Sequence, residues 1–270
     1  MSFYTSLNGL RNAQTELSVI ANNLANAETT GFKKSRVNFA DIVSGTAATN
    51  PKMVIGIGST VQSIDQNFAL GPTQQTGAAL DLAINGEGFF TKVNPINGKT
   101  FYTRNGNFNL DDSGFISDVQ GNRLQVLPVD AGGNVTSTTP QDALIPATNG
   151  AGAELLSVNV RTDGAVVASY ADGSISEVGK VALASFVAPP GLLQVGNQNW
   201  QATGISGPPS YGQPGASRFG TLLSGSLEQS NVDIAEEMVG LITAQRYFQA
   251  NAKAIDTATQ LSQTIINLRT

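Results

Sequence analysis

The chain has 270 residues, of which 13% are charged, and a formal net charge of −5. It contains neither Cys nor His, which excludes disulfides, zinc–thiolate centres, cysteine nucleophiles and imidazole acid–base chemistry. Nucleic acid is not an expected partner, because Lys33, Lys34 and Arg36 form the only basic cluster, and it reads as a solvated turn after a helix.

From about residue 4 to 27, Leu7, Leu10, Leu17, Ile20, Ala21 and Leu24 recur at helical spacing. Asn22, Asn23 and Asn26 weaken the end of this helix, since an amide competes for backbone hydrogen bonds. These asparagines either set register through interhelical amide bonds or form a solvated polar face. Gly31 is suited to a left-handed stop at the helix C-terminus. Alone in water such a helix is marginal.

Residues 32–80 read as an extended connector anchored by Phe32, Val37, Phe39, Ile42 and Val43. Within it, Gly45–Pro51 is a loop, and 54–58 and 61–64 are strands of an arm. Residues 81–225 read as β-structure, with short apolar-alternating runs punctuated by Asn105-Gly106, Asp112-Ser113-Gly114 and Gly121-Asn122. Two stretches, 128–153 and 204–217, read as surface loops, the first a place for an insertion.

The last element, within residues 226–270, is a long helix that begins near Asn231 or Asp233 and runs to about Leu268, with Glu236 and Glu237 favouring its positive end and Arg269 its negative end. Ile234, Leu241, Phe248 and Ile255 sit seven residues apart, and Met238, Ala252 and Ile266 occupy interleaved positions. A heptad stripe needs a partner helix, supplied by the other end of the chain or by another copy. The fold class expected is therefore α+β: long N- and C-terminal helices (residues 1–31 and 226–270) pairing as a coiled coil, with a central all-β domain.

No candidate catalytic, cofactor or metal site emerges. Gly86-Glu87-Gly88 lacks the third glycine and the Lys-Ser/Thr ending of a phosphate loop, so a tight turn is expected. Asp111 and Asp112 have no downstream Glu at EF-hand spacing and read as a turn. Glu236 and Glu237 complement a helix dipole rather than do acid–base work. Trp200 reads as a half-buried edge of the β-core. No apolar run approaches the roughly 20 residues that span a bilayer, and residues 1–11 lack the features of a cleaved signal peptide, so membrane insertion is not expected.

Three blocks resemble one family. Ser18 to Asn26 with Thr30-Gly31-Phe32-Lys33 resembles the N-terminal signature of the bacterial flagellar rod and hook proteins, carrying Asn22, Asn23, Asn26, Gly31 and Phe32. Leu82 to Phe90, with Gly86, Gly88 and Phe89, is similar to its second block. Leu227 to Asp233, with Ser230, Asn231 and Val232, and Ala244-Gln245-Arg246 resemble its C-terminal block. Details such as Phe39-Ala40-Asp41 and Ile265 to Arg269 look most like the hook protein, although hook proteins are usually longer and this length suits the distal rod protein.

The resemblance implies a non-enzymatic structural subunit of the hook, outside the cell, polymerising into a curved helical tube that transmits torque. The alternative is the distal rod protein in the basal body. It implies export by the flagellar type III apparatus and contacts with rod, hook-cap and hook–filament junction proteins. Subunit packing falls to Leu7, Leu10, Leu17, Ile20, Leu24, Ile234, Met238, Leu241, Phe248, Ala252, Ile255 and Ile266. A reading from another class, a secreted β-domain enzyme or glycan-binding module with helical arms, has no catalytic constellation behind it.

Overall fold

A computed structural model describes residues 2–44, 55–130 and 132–268. The chain divides into two compact units, and each is assembled from segments distant in sequence. The first takes residues 1–27, 34–67 and 232–270, and the second takes 28–33 and 68–231.

The first unit holds two helices and a hairpin. Helix α1 spans Ser2–Ala25, strands β1 (Ser35–Ser44) and β2 (Ile55–Gln66) pair antiparallel, and helix α2 spans Ile234–Asn267. Asp233 caps α2, its carboxylate accepting from the backbone N–H groups of Ala235 and Glu236, which satisfies two of the donors a helix start leaves open. The expected connector is thus a ribbon. Phe39, Ile42 and Val43 lie within β1, and the expected strands at 54–58 and 61–64 fall on one strand, β2, with Val54 outside the described residues. The loop expected at Gly45–Pro51 and the helix-end role expected for Arg269 fall outside the described residues. The ribbon is fastened to α1 by Asn12, whose amide donates to the Ser59 hydroxyl at 2.8 Å.

The second unit is all β. Its strands are β3 Thr73–Gln75, β4 Leu82–Asn85, β5 Phe89–Val93, β6 Thr100–Thr103, β7 Asn109–Leu110, β8 Ile116–Ser117, β9 Arg123–Leu127, β10 Gln141–Asp142 and β11 Leu155–Val160. They continue with β12 Ala165–Tyr170, β13 Ile175–Val181, β14 Leu183–Ser185, β15 Leu193–Gly196, β16 Asn199–Gln201, β17 Ser210–Gly212, β18 Thr221–Ser224 and β19 Ser226–Glu228. The main path runs β11-β12-β13-β9-β5-β6-β16-β15, while β4 pairs β18 and β3 pairs β19.

Strand β5 shows why two cores form. Successive side chains on a strand point to opposite faces. Phe90 joins the larger cluster with Leu82, Ile84, Phe108, Ile116 and Leu124, and its neighbour Phe89 joins the aromatic cluster of Tyr102, Phe186 and Trp200. In the latter, Tyr102 and Phe186 meet edge to face with centroids 4.8 Å apart.

Three expectations need correction here. Trp200 is not a half-buried edge: it is 1% exposed, because Phe68 and Phe89 pack edge-on against it. Its ring offers no face to a sugar. Residues 128–153 are not all surface, since Ala143 and Ile145 are buried in the larger core where β10 adds to β9. Residues 204–217 contain β17, which pairs β14.

Candidate assembly helices and a buried charge node

In the first unit the helices run antiparallel. A Cβ added to Gly9 would meet the Asn251 amide at 2.6 Å, and one added to Gly240 would meet Ile20 at 3.4 Å. Asn23 donates to Glu237 Oε2 at 3.2 Å. In each pair the numbers add to 260, so residue n of α1 faces residue 260 − n of α2. Ala13, Ile20 and Asn23 are buried on α1, and Glu237 and Ala244 on α2. Small residues at the seam let the backbones approach.

Of the residues expected to pack, Leu7, Leu10, Leu17 and Leu24 are half-buried on α1, as are Leu241, Phe248, Ala252 and Ile255 on α2. Ile234, Met238 and Ile266 are exposed, at 51%, 45% and 63%. Ala13, Ala244 and Glu237, none of them a large apolar side chain, are at least as buried as Ile20.

The three asparagines of the first block divide. Asn23 is buried: its Nδ2 donates to the Ser35 carbonyl and its Oδ1 accepts from the Ser35 N–H, both at 2.9 Å, in addition to the Glu237 bond. Asn22 is exposed, and the Asn26 amide turns back to the Asn22 carbonyl at 2.9 Å. Glu236 reaches Lys34 at 2.9 Å across an exposed pair, worth little by itself. Val232 is half-buried, and Gln245 and Arg246 are exposed on α2.

In the second unit, the tail of the first block meets the head of the third. Lys33 is not solvated: it is 1% exposed, and Glu228, 0% exposed, supplies the reason. Lys33 Nζ donates to Glu228 Oε1 at 2.5 Å and to the Ala69 carbonyl at 2.7 Å. The same Oε1 accepts the Gly71 N–H at 3.0 Å, and Arg104 Nη1 lies 3.5 Å from Oε2. Arg104 also donates to the Gly86 carbonyl at 3.0 Å and lies over the Phe89 ring. Burial pulls the Lys33 ammonium down from its ordinary value, and Glu228 opposes that pull. Two cations on one carboxylate, all out of water, make a fastening rather than a reaction centre.

Gly31 closes the node. Its N–H donates to the Glu228 carbonyl at 2.8 Å, its φ is +70°, and a Cβ there would sit 2.6 Å from the Asn105 backbone nitrogen. The expected role at a helix end is therefore corrected: α1 stops at Ala25, and the left-handed glycine serves a turn six residues later. Phe32 is buried beside it. Ser230 is buried, and the Asn231 amide donates to the same Ala69 carbonyl at 3.1 Å. Gly86 and Gly88 bend the chain between β4 and β5. Asp111 Oδ1 accepts from the N–H groups of Ser113 and Phe115, a side-chain-closed turn. Among the described residues no group of three His, Cys, Asp or Glu side chains could hold a metal ion, and no helix is long and apolar enough to cross a membrane.

These features define a class first: a β-protein whose two chain ends complete each other, through a helix pair in one unit and a charge node in the other. Comparison with known proteins then specifies it. Residues 3–33 match the family described as "Flagella basal body rod protein", residues 83–168 "Flagellar hook protein FlgE/F/G D1 domain", and residues 223–268 "Flagellar basal body rod FlgEFG protein C-terminal". The flagellar basal-body rod protein FlgG of Bacillus subtilis is 39% identical over 280 residues, covering 99% of this chain and 98% of its own. FlgG of Borreliella burgdorferi is 32% identical over 279 residues, with the same coverage. The flagellar hook protein FlgE of Escherichia coli is 28% identical over 410 residues, covering all of both chains. The chain belongs to the flagellar rod and hook protein family.

Proposed function

We propose that the chain is a structural, non-enzymatic subunit of the flagellar rod, polymerising with copies of itself. One observation carries the choice of rod over hook. The rod relatives align almost end to end over 279 or 280 positions. Alignment to the hook protein needs 410 positions for a chain of 270, leaving 140 (410 − 270) without a residue from this chain. The higher identity to the rod proteins points the same way. The hook expected from Phe39-Ala40-Asp41 and the chain's last residues thus gives way to the distal rod, and the site of action to the basal body.

In the assembly, the helix pair acts as a short antiparallel coiled coil in the inner wall of a tube. The buried and half-buried positions of α2 from 237 to 258 are 237, 240, 241, 244, 248, 251, 252, 255 and 258, and among them 237, 241, 244, 248, 251, 255 and 258 have the three–four spacing of a coiled-coil seam. The exposed Ile234, Met238 and Ile266 are left for neighbouring copies. Burying such side chains at about 25 cal/mol per Å² of apolar area is a gain available only in the polymer. Export by the flagellar type III apparatus, and contacts with adjoining rod, hook-cap or hook–filament junction proteins, belong to this reading.

Electron microscopy of the purified, concentrated protein tests it. Straight, stiff tubes are expected. Curved, bendable tubes return the assignment to the hook, and a persistent monomer with ordered terminal helices sinks both.

A further inference from the structure

At one end of the main sheet, strand alternation sends two sets of side chains to opposite faces. Tyr102 of β6 and Trp200 of β16 are register partners, and both belong to the aromatic cluster. Successive side chains on a strand point to opposite faces, so Phe101, Asn199 and Gln201 share the other one. There they line a cleft of about 340 Å³ within the β-unit. Its walls are the turns that join β5 to β6, β8 to β9 and β15 to β16. The volume is at the lower end of the roughly 300–1,000 Å³ of small-molecule sites.

The lining is rich in carboxamides. Asn94, Gln120, Asn122, Asn199 and Gln201 all contribute, and among the described residues that line the cleft Lys99 alone carries a charge. The amides hold one another in place. Asn94 Nδ2 donates to Asn122 Oδ1 at 3.0 Å, and Gln120 Oε1 accepts from Asn122 and Asn199 at 3.2 and 3.1 Å. Asn94 Oδ1 also accepts the Ile96 N–H at 3.0 Å, which fixes it to its own turn. One acceptor is left over. Asn199 is 4% exposed, and its Oδ1 has no hydrogen-bond partner among the described residues. A buried carbonyl without a donor is costly, so the floor of the cleft lacks a donor that a ligand can supply.

We propose that this cleft binds a neutral saccharide, with the C–H face of one sugar ring against Phe101 and its hydroxyls among the amides. A hydroxyl both donates and accepts, and so does a carboxamide, so a cluster of amides matches a ring of hydroxyls. A phosphate or other anion calls for charged donors, and here there is a single exposed lysine. An apolar ligand would strip water from the amides and give nothing in return. A peptide strand presents its polar groups in a line along a sheet edge, whereas these amides converge from three turns. Phe101, half-buried, supplies the flat apolar surface. Trp200, buried on the opposite face, takes no part. The site is independent of assembly.

Saturation-transfer NMR on the full chain tests the proposal, with cellotriose, maltotriose and chitotriose as separate probes at millimolar concentration. At least one trisaccharide should show transfer, and calorimetry then gives its affinity. Gln120→Ala removes the acceptor that positions Asn122 and Asn199. It should weaken binding about tenfold, the scale of one or two lost hydrogen bonds. Phe101→Ala should weaken it at least as much, and Lys99→Ala should leave it unchanged. Urea unfolding followed by Trp200 shows whether each variant is folded. If Phe101→Ala is not, Gln120→Ala, at an exposed position, carries the test. No transfer from any of the three sugars overturns the proposal, and so does undiminished affinity in Gln120→Ala. Loss of binding in Lys99→Ala would make the cleft an anion site, and displacement of the sugar by the peptide Gly-Ser-Gly-Ser would make it a peptide groove; either result also overturns it. None of these readouts involves polymerisation, so the rod assignment stands or falls separately.

Discussion

Lys33 and Glu228 are 195 residues apart along the chain, yet Nζ and Oε1 lie 2.5 Å apart with both side chains out of solvent. The pair joins the segment after the first helix to the segment before the last one within a single β-unit. Lys33 and Arg104 lack their shared carboxylate until the chain has been made as far as residue 228.

Glu228→Gln tests the dependence. It leaves two buried cations facing a neutral amide, and breaking a buried pair from one side costs about 3–5 kcal/mol. Lys33→Met costs less, because Glu228 keeps the Gly71 N–H and Arg104. The double variant should be more stable than the sum of the singles indicates, because residues in one network couple. Urea denaturation followed by Trp200, the only tryptophan and a buried member of the same unit, supplies the readout. Additive effects would show that the node is not one network.

Gly31 is the second test of the node, with Gly77 as its control. Both have positive φ, +70° and +77°, but a Cβ on Gly31 would lie 2.6 Å from backbone, while one on Gly77 would have nothing within 4 Å. Gly77→Ala should cost only the backbone strain, about 1 kcal/mol. Gly31→Ala adds a collision with backbone that cannot rotate away, so its loss should be at least about twice as large. Equal losses in the same urea experiment would mean that the close approach is relieved without cost.

Asp118 sets a pH dependence. Partial burial pushes its carboxyl up, but the hydrogen bonds from Asn122 and the neighbouring Lys92 ammonium outweigh it and hold the group below its ordinary 3.8. With the folded value depressed, its contribution to stability is complete above the ordinary value and is lost as pH falls through the lower, folded one. Asp118→Asn should therefore be less stable at neutral pH, since Lys92 loses its partner, and should show a shallower loss of stability below about pH 4. Parallel acid limbs for the two proteins in Trp200-monitored unfolding would remove Asp118 from this role.

How much was legible in the sequence depended on where the signal lay. The two helices were visible because their apolar spacing is local, and Asp233 was visible as a cap because capping is a matter of three residues. The ribbon of β1 and β2 was half visible, since β1 (Ser35–Ser44) mixes apolar and charged residues without clean alternation and register shifts break its pairing twice. Lys33 was misread because a lysine beside another basic residue looks solvated, and its partner is 195 residues away. Trp200 was misread for a similar reason: polar neighbours in sequence hide the aromatic neighbours, Phe68 and Phe89, that the sheet brings to it. In α2, the heptad of Ile234, Leu241, Phe248 and Ile255 leaves out Ala244, which is buried against α1 and whose small size lets the helices meet.

That last point yields a prediction that separates the two faces of α2. Ala244 is 1% exposed against α1, whereas Met238 is 45% exposed. A carboxylate at Ala244→Asp would be buried in the seam without a cation, so the pair should open and both helices lose hydrogen-exchange protection. The Trp200 transition of the other unit should hold. Leu241→Asp and Phe248→Asp, at half-buried positions, should act the same way to a smaller extent. Met238→Asp puts the charge in solvent, so the isolated chain should keep its protected helices and still fail to assemble, because the cost arises only when a neighbouring copy covers that face. Normal polymers from Met238→Asp would mean that this face stays in solvent within the assembly. Intact helix protection in Ala244→Asp would mean that the pair is not held by its seam.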